Sequence, residues 1–144
     1  MKILFVCTGN TCRSAMAEGI MKDFIQKKGH DIEVISRGIY ASNDNLATGE
    51  SIDALRSLYK IDISNHRSSR LTFADIKSSD VIYAMTENHI NLIHTTLEDD
   101  ALFGKIKLFS NKDIDDPYMG SKKEYEMCAK LIYKGIKKIL EEEM

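Results

Sequence analysis

The chain opens on four consecutive apolar residues, Ile3, Leu4, Phe5 and Val6, which run directly into Cys7-Thr8-Gly9-Asn10-Thr11-Cys12-Arg13-Ser14. An unbroken apolar run bounded by a glycine-containing loop predicts a strand buried on both faces of a parallel sheet. From Arg13 the apolar period changes: Met16, Ile20, Met21 and Phe24 share one helical face, and Gly29 supplies a stop. Strand, wrapping loop and helix in this order converge successive backbone N–H groups and a helix N-terminus on one point, which favours an anion there. The same field favours the thiolate of Cys7, the nucleophilic form of cysteine. Arg13 adds a planar fork able to hold two phosphoryl oxygens at once, a geometry that a lysine point charge lacks. A cysteine and an arginine separated by five small or polar residues therefore predict phosphoryl transfer to sulfur, with Thr8, Gly9, Asn10, Thr11, Cys12 and Ser14 completing the cradle.

The rest of the chain alternates in the same way. Residues 32–35 read as a second strand, and Ile52, Leu55 and Tyr59 mark one face of a helix starting near Thr48. Residues 81–85 and 105–109 predict two further strands with a helix over 87–95 between them. Tyr125, Cys128, Ile132, Ile136 and Ile139 recur at three- and four-residue spacing and predict a long closing helix. Strand and helix in alternation imply one α/β domain over residues 1–144, a three-layer sandwich with helices on both faces of a small parallel sheet of about four strands. Ligands in such sheets bind at the carboxyl ends of the strands, where the Cys7 loop lies. Residues 38–48 and 110–121 are expected to be the two longest loops and the walls of the site.

Composition narrows the partners. The 20 basic and 22 acidic residues nearly cancel, so no global field favours nucleic acid or an anionic membrane. The short apolar run near Met1 is too brief for a signal peptide or a membrane span, and three cysteines without framework spacing suit a reducing compartment. A cytoplasmic protein that needs neither metal nor other cofactor is expected.

Transfer to sulfur also requires a proton source for the leaving group. Asp116 is the candidate, because it lies in the late loop ahead of the only proline, Pro117, which biases it away from helix. Asp115 is a poorer one, since adjacent side chains of an extended segment point in opposite directions. Cys7 and Cys12 alone fall short of tetrahedral zinc, and a reversible disulfide between them that shields the nucleophile from over-oxidation is the preferred reading. Cys128 is expected in the core. His66 reads by default as a solvated or structurally satisfied loop histidine, and His89 and His94, five apart on a helix, face apart and disfavour a metal pair. Asp75, Asp99 and Asp100 read as solvated charges. Tyr40 and Tyr118 are loop aromatics that either pack partly or flank a cleft.

Taken together, these residues resemble the low-molecular-weight protein tyrosine phosphatase family over essentially the whole chain. The loop from Cys7 to Ser14, Ser36-Arg37-Gly38, Ile63-Ser64-Asn65-His66, Ala84-Met85-Thr86 and Asp116-Pro117-Tyr118 stand in the family's order and spacing. The resemblance implies Cys7 as nucleophile, Arg13 as phosphate clamp and Asp116 as general acid. It also implies that Asn10, Ser14, Ser36 and His66 form the network that holds the phosphate loop in its strained shape. Ala15 stands where many members have proline, a change confined to the rigidity of the helix start. Thr11 stands where tyrosine-selective members usually carry a bulkier aliphatic residue, and the octet resembles that of the bacterial protein arginine phosphatases. In that branch Tyr40 and Tyr118 occupy the positions of aromatic walls able to stack on a guanidinium.

The expected activity is hydrolysis of phosphorylated protein side chains through a phosphocysteine, with phosphoarginine ahead of phosphotyrosine as substrate. Phosphate and other oxyanions should occupy the loop. Two further classes compete. Arsenate reductases share the loop but pass oxidising equivalents through two later cysteines, which residues 81–95 lack. A phosphate-binding module without turnover has no use for Cys7, Arg13 and Asp116 together.

Overall fold

The computed structural model describes residues 1–97 and 100–143. Its elements are β1 (Lys2–Cys7), α1 (Arg13–Lys28), β2 (Glu33–Gly38), α2 (Gly49–Tyr59), α3 (Phe73–Ser78), β3 (Val81–Ala84), α4 (Glu87–Thr96), a 3-10 helix (Asp100–Lys105), β4 (Ile106–Leu108) and α5 (Lys122–Glu143). The four strands form one parallel sheet in the order β2-β1-β3-β4. This is the expected α/β architecture, with the helices on both faces.

The apolar run of β1 explains why the sheet needs two cores. Ile3, Phe5 and Cys7 join the core on one face with Met16 and Ile20 of α1, Leu55 of α2 and Ile132 and Ile136 of α5. Leu4 and Val6, offset by one residue, join the other with Ile76 of α3, Ile93 of α4, Leu102 and Ile106. Tyr133 of α5 stacks on Tyr59 at 4.2 Å and lies 5.1 Å from Phe24, tying the three helices of the first face together. Gly29 ends α1 in the left-handed conformation (φ 73°) and bonds back to the Ile25 carbonyl. Among the described residues no helix is long and apolar enough to cross a membrane.

Several sequence expectations are corrected in detail. β2 continues through Ser36 and Arg37 to Gly38, and β4 is shorter than residues 105–109. The connection over residues 60–72 is no shorter than either expected wall loop. Helix α3 and the 3-10 helix were not anticipated. Asp75 is no solvated charge: it forms a capping box with Thr72 and an ion pair with Arg37 at 3.1 Å, and its side chain is only 14% exposed. Lys105 is also committed to α3, donating to the carbonyls of Ile76, Lys77 and Ser79 at 3.1, 2.9 and 2.9 Å, where a cation offsets the partial charge of a helix C-terminus. Asp100 is exposed at the start of the 3-10 helix, and Asp99 lies outside the described residues.

The end of β2 is pressed against the loop that follows β1. A Cβ on Gly38 would lie 2.7 Å from the Thr8 carbonyl oxygen and 2.9 Å from the Asn10 backbone nitrogen. Both are backbone atoms, so Gly38→Ala must displace the loop rather than a flexible side chain. Its urea midpoint should drop by the equivalent of about 2 kcal/mol, in the range typical of overpacking; an unchanged midpoint would contradict this close approach.

Candidate active site

Residues 7–14 leave the carboxyl end of β1 and turn into α1. This is where the order β2-β1-β3 places a topological switch point, because the chain departs from β1 toward strands on opposite sides. Cys12 is the N-cap of α1 and makes no side-chain cap bond, so the first backbone donors of that helix remain available at the loop.

Asn10 organises the turn. It is fully buried, its backbone is left-handed (φ 59°), and its side chain spans three elements. Its amide donates to Ser14 Oγ at 2.8 Å and to Ser36 Oγ at 2.9 Å, while its side-chain oxygen accepts from the Ser69 N–H at 2.9 Å. His66 donates from Nε2 to the Asn10 carbonyl at 2.7 Å. Ser14 accepts from Asn10, and its hydroxyl hydrogen has two acceptors in reach, the Cys7 sulfur at 2.9 Å and, farther off, the Arg37 carbonyl at 3.5 Å; the sulfur also receives the Asn10 backbone N–H at 3.3 Å. Two donors therefore converge on Cys7, an arrangement that a thiolate accepts. Ser36 passes its own hydrogen to the Glu18 carboxylate.

Arg13 is buried to 4% exposure and held from two sides. Nη1 donates to the Ile114 carbonyl at 3.0 Å, and Nη2 lies 3.3 Å from Thr8 Oγ1 and 3.5 Å from Asp116 Oδ2. Nε has no partner among the described residues. The Asp116 carboxylate is 47% exposed and accepts the Tyr118 N–H at 3.0 Å, which orients it within the loop.

These groups surround a cleft of about 280 Å³ lined by Cys7, Thr8, Gly9, Thr11, Cys12, Arg13, Tyr40, Asp116 and Tyr118. Residues 38–48 and 110–121 supply its walls, and Tyr40 and Tyr118 are each 61% exposed there. Asn10 and Ser14 within the loop, and Ser36 and His66 outside it, are joined in one network that braces the turn. The three cysteines are free thiols. Cys12 Sγ rests 3.6 Å from both Thr48 Oγ1 and Tyr125 OH, and burial raises the Tyr125 hydroxyl well above its ordinary range. Burial pushes Cys128 up to about 12, so it stays a core thiol.

Sequence reasoning missed His89, as well as Glu18, Ser69 and the Ile114 carbonyl. His89 is 3% exposed, and its Nε2 lies 2.9 Å from Thr8 Oγ1. The signal was Thr86: as N-cap of α4 it bonds the His89 N–H, which sets His89 in the first turn, four residues before buried Ile93. His94 instead stacks on Phe103 at 4.3 Å.

A thiol and a guanidinium brought together by a strand–loop–helix turn at the carboxyl edge of a parallel sheet define a cysteine-dependent phosphatase. The chain belongs to the low molecular weight phosphotyrosine protein phosphatase family, whose sequence model matches residues 2–144. It is 38% identical over 131 residues to the protein-arginine-phosphatase of Bacillus subtilis, covering 84% of this chain and 82% of that one. It is 33% identical over 141 residues to the low molecular weight protein-tyrosine-phosphatase PtpB of Staphylococcus epidermidis, covering 96% of each. The crystal structure of a low molecular weight protein tyrosine phosphatase from T. tengcongensis superposes with a TM-score of 0.92 at 36% identity over 98% of both chains.

His89 also makes the site sensitive to acid. Burial, aided by the Arg13 cation and opposed by Asp113 and Asp116, pushes its pKa down from 6.5 to about 4. The folded state thus resists a proton that the unfolded state accepts. The stability contributed by the neutral ring is complete above about pH 6.5 and is lost as pH falls toward 4, by up to about 3 kcal/mol. Urea melts of wild type and His89→Gln at several pH values should show the variant losing less over this window; parallel curves would exclude a buried neutral imidazole.

Proposed function

We propose that the protein is a protein arginine phosphatase that works through a phosphocysteine on Cys7. The observation that carries the substrate assignment is Thr11, which lines the same cleft as Tyr40, Asp116 and Tyr118. A threonine leaves more of the cleft open than a longer aliphatic side chain. A planar phosphoguanidinium can stack on such aromatic side chains, where a cation is attracted to ring faces, and its N–H groups can bond a carboxyl oxygen of Asp116. The resemblance to the Bacillus subtilis arginine phosphatase supports this reading. Phosphotyrosine is the second reading, favoured by the Staphylococcus epidermidis relative.

The chemistry is the same for either substrate. The Cys7 thiolate attacks phosphorus, and the bond from phosphorus to the leaving nitrogen or oxygen breaks as Asp116 delivers a proton to that atom. The Arg13 fork and the loop N–H groups hold the three equatorial oxygens on which charge accumulates. Asp116, now a carboxylate, takes a proton from water as the water attacks phosphorus. The S–P bond breaks, phosphate leaves, and the thiolate returns. A reducing compartment would keep Cys7 in the form that this cycle needs.

The deciding experiment compares kcat/KM on matched peptides carrying phosphoarginine or phosphotyrosine, for wild type and Thr11→Ile, with Cys7→Ser as blank. Wild type should prefer phosphoarginine, and Thr11→Ile should move the ratio toward phosphotyrosine by about tenfold or more, the scale on which pocket volume discriminates. A preference for phosphotyrosine in both proteins would reject the substrate assignment and leave the chemistry intact. Turnover by Cys7→Ser would reject the nucleophile.

Asp116→Ala separates the acid from the clamp. Substrates with poor leaving groups should slow by about 100-fold or more, while p-nitrophenyl phosphate, whose leaving group needs little protonation, slows far less. An equal loss on both would remove Asp116 from the role of acid.

A further inference from the structure

We propose that His89 is a positioning residue, which through Thr8 fixes the Arg13 guanidinium and turns the Thr8 hydroxyl proton into the cleft. The proposal rests on the phosphatase reading above and adds a residue to its machinery. β3 lies beside β1 in the sheet, so the first turn of α4 stands next to the loop that leaves β1. Thr86 anchors that turn by accepting the His89 N–H at 3.1 Å. His89 is thereby held against the loop from the side opposite Asn10.

The protonation pattern follows from the partners. Nδ1 of His89 is buried with no partner among the described residues, whereas Nε2 is 2.9 Å from Thr8 Oγ1. A buried N–H without an acceptor is costlier and rarer than a buried lone pair without a donor. The network therefore assigns the hydrogen to Nε2, which donates to Thr8. Thr8 Oγ1 also faces Arg13 Nη2, always a donor, at 3.3 Å. Both lone pairs of the hydroxyl are then engaged, and its hydrogen is left to point where Thr8 lines the cleft. There it meets phosphoryl oxygens as a donor. The opposite tautomer would draw the Thr8 hydrogen toward His89 and leave a lone pair facing the anion. Burial and the neighbouring guanidinium keep the ring neutral at neutral pH, so it supplies a donor without a second charge.

A double-mutant cycle tests the link, using kcat/KM for p-nitrophenyl phosphate and the inhibition constant of inorganic phosphate on wild type, His89→Leu, His89→Gln, Thr8→Val and the paired variants. Active sites are counted by the burst of p-nitrophenol, and folding is checked by Tm. His89→Leu should weaken phosphate binding and kcat/KM by about tenfold, the worth of one hydrogen bond near a charge, and His89→Gln should recover most of it. The loss should vanish in the Thr8→Val background, because the effect travels through that hydroxyl. The same loss in both backgrounds, or none in either, would overturn the proposal. A measurement on the intact protein stands beside the cycle: the ¹⁵N shifts of the His89 ring should show hydrogen on Nε2, and hydrogen on Nδ1 would overturn it. Failure of the wild type to release phosphate from p-nitrophenyl phosphate would instead point to failure of the phosphatase reading, so the two are told apart.

Discussion

The left-handed backbone of buried Asn10 is the constraint on which the site depends. A non-glycine residue in this region costs on the order of 1–2 kcal/mol, and asparagine tolerates it because its short amide can bond nearby groups. Here the conformation lets one residue serve five partners: the Cys7 sulfur from its N–H, Ser14 and Ser36 from its amide, the Ser69 N–H at its side-chain oxygen, and His66 at its carbonyl. No polar group of Asn10 is left for another use. The strained turn is thus over-determined by β2, by α1 and by the connection over residues 60–72, and the Cys7 sulfur is held at the centre of a rigid cup.

The same arrangement explains what could be read from the sequence. The unit formed by β1, the loop and α1 was legible because its parts are contiguous: an apolar run, polar turn residues, then a change of period. The bracing is not contiguous. Ser36, His66 and Ser69 lie 26, 56 and 59 residues from Asn10, and no local pattern marks a serine in a strand or a histidine in a loop as partners of a distant amide. Ser36 and His66 were reached only through the family resemblance, and Ser69 acts through its backbone, which carries no sequence signal. Helix α3 escaped for a related reason: six residues with one buried side chain, Ile76, show no period, and its capping Asp75 resembles any surface acid until Arg37 is seen 38 residues away.

His89 illustrates a different loss of information. Its distance from His94 was legible and was used against a metal pair, but spacing along a helix says nothing about what the sheet places opposite its first turn. The order β2-β1-β3 decides that, and strand order is a property of the whole chain. With β3 beside β1, the loop after one strand and the helix after the other must meet. Asp113 adds to the junction by accepting the Glu87 N–H at 2.9 Å, which caps the start of α4 from the same loop that carries Asp116. The Arg13 guanidinium is consequently gripped between two segments from different strands, by Thr8 on one side and the Ile114 carbonyl on the other.

The result is a division between a floor and its walls. The floor is buried, tied by side-chain bonds that cross the fold, and closely packed at Gly38, where an added Cβ would lie 2.7 Å from the Thr8 carbonyl oxygen. The walls are the reverse: Tyr40 and Tyr118 stand 61% exposed on loops, and half-buried Thr11 lines the same cleft. On the proposed reading, a change at the rim alters which leaving group fits, while the sulfur, the guanidinium and the donors beneath them stay in place. Chemistry and substrate choice are then physically separable in this fold. That separation gives a mechanical reason for relatives of comparable identity to bear the names of an arginine phosphatase and a tyrosine phosphatase on one scaffold.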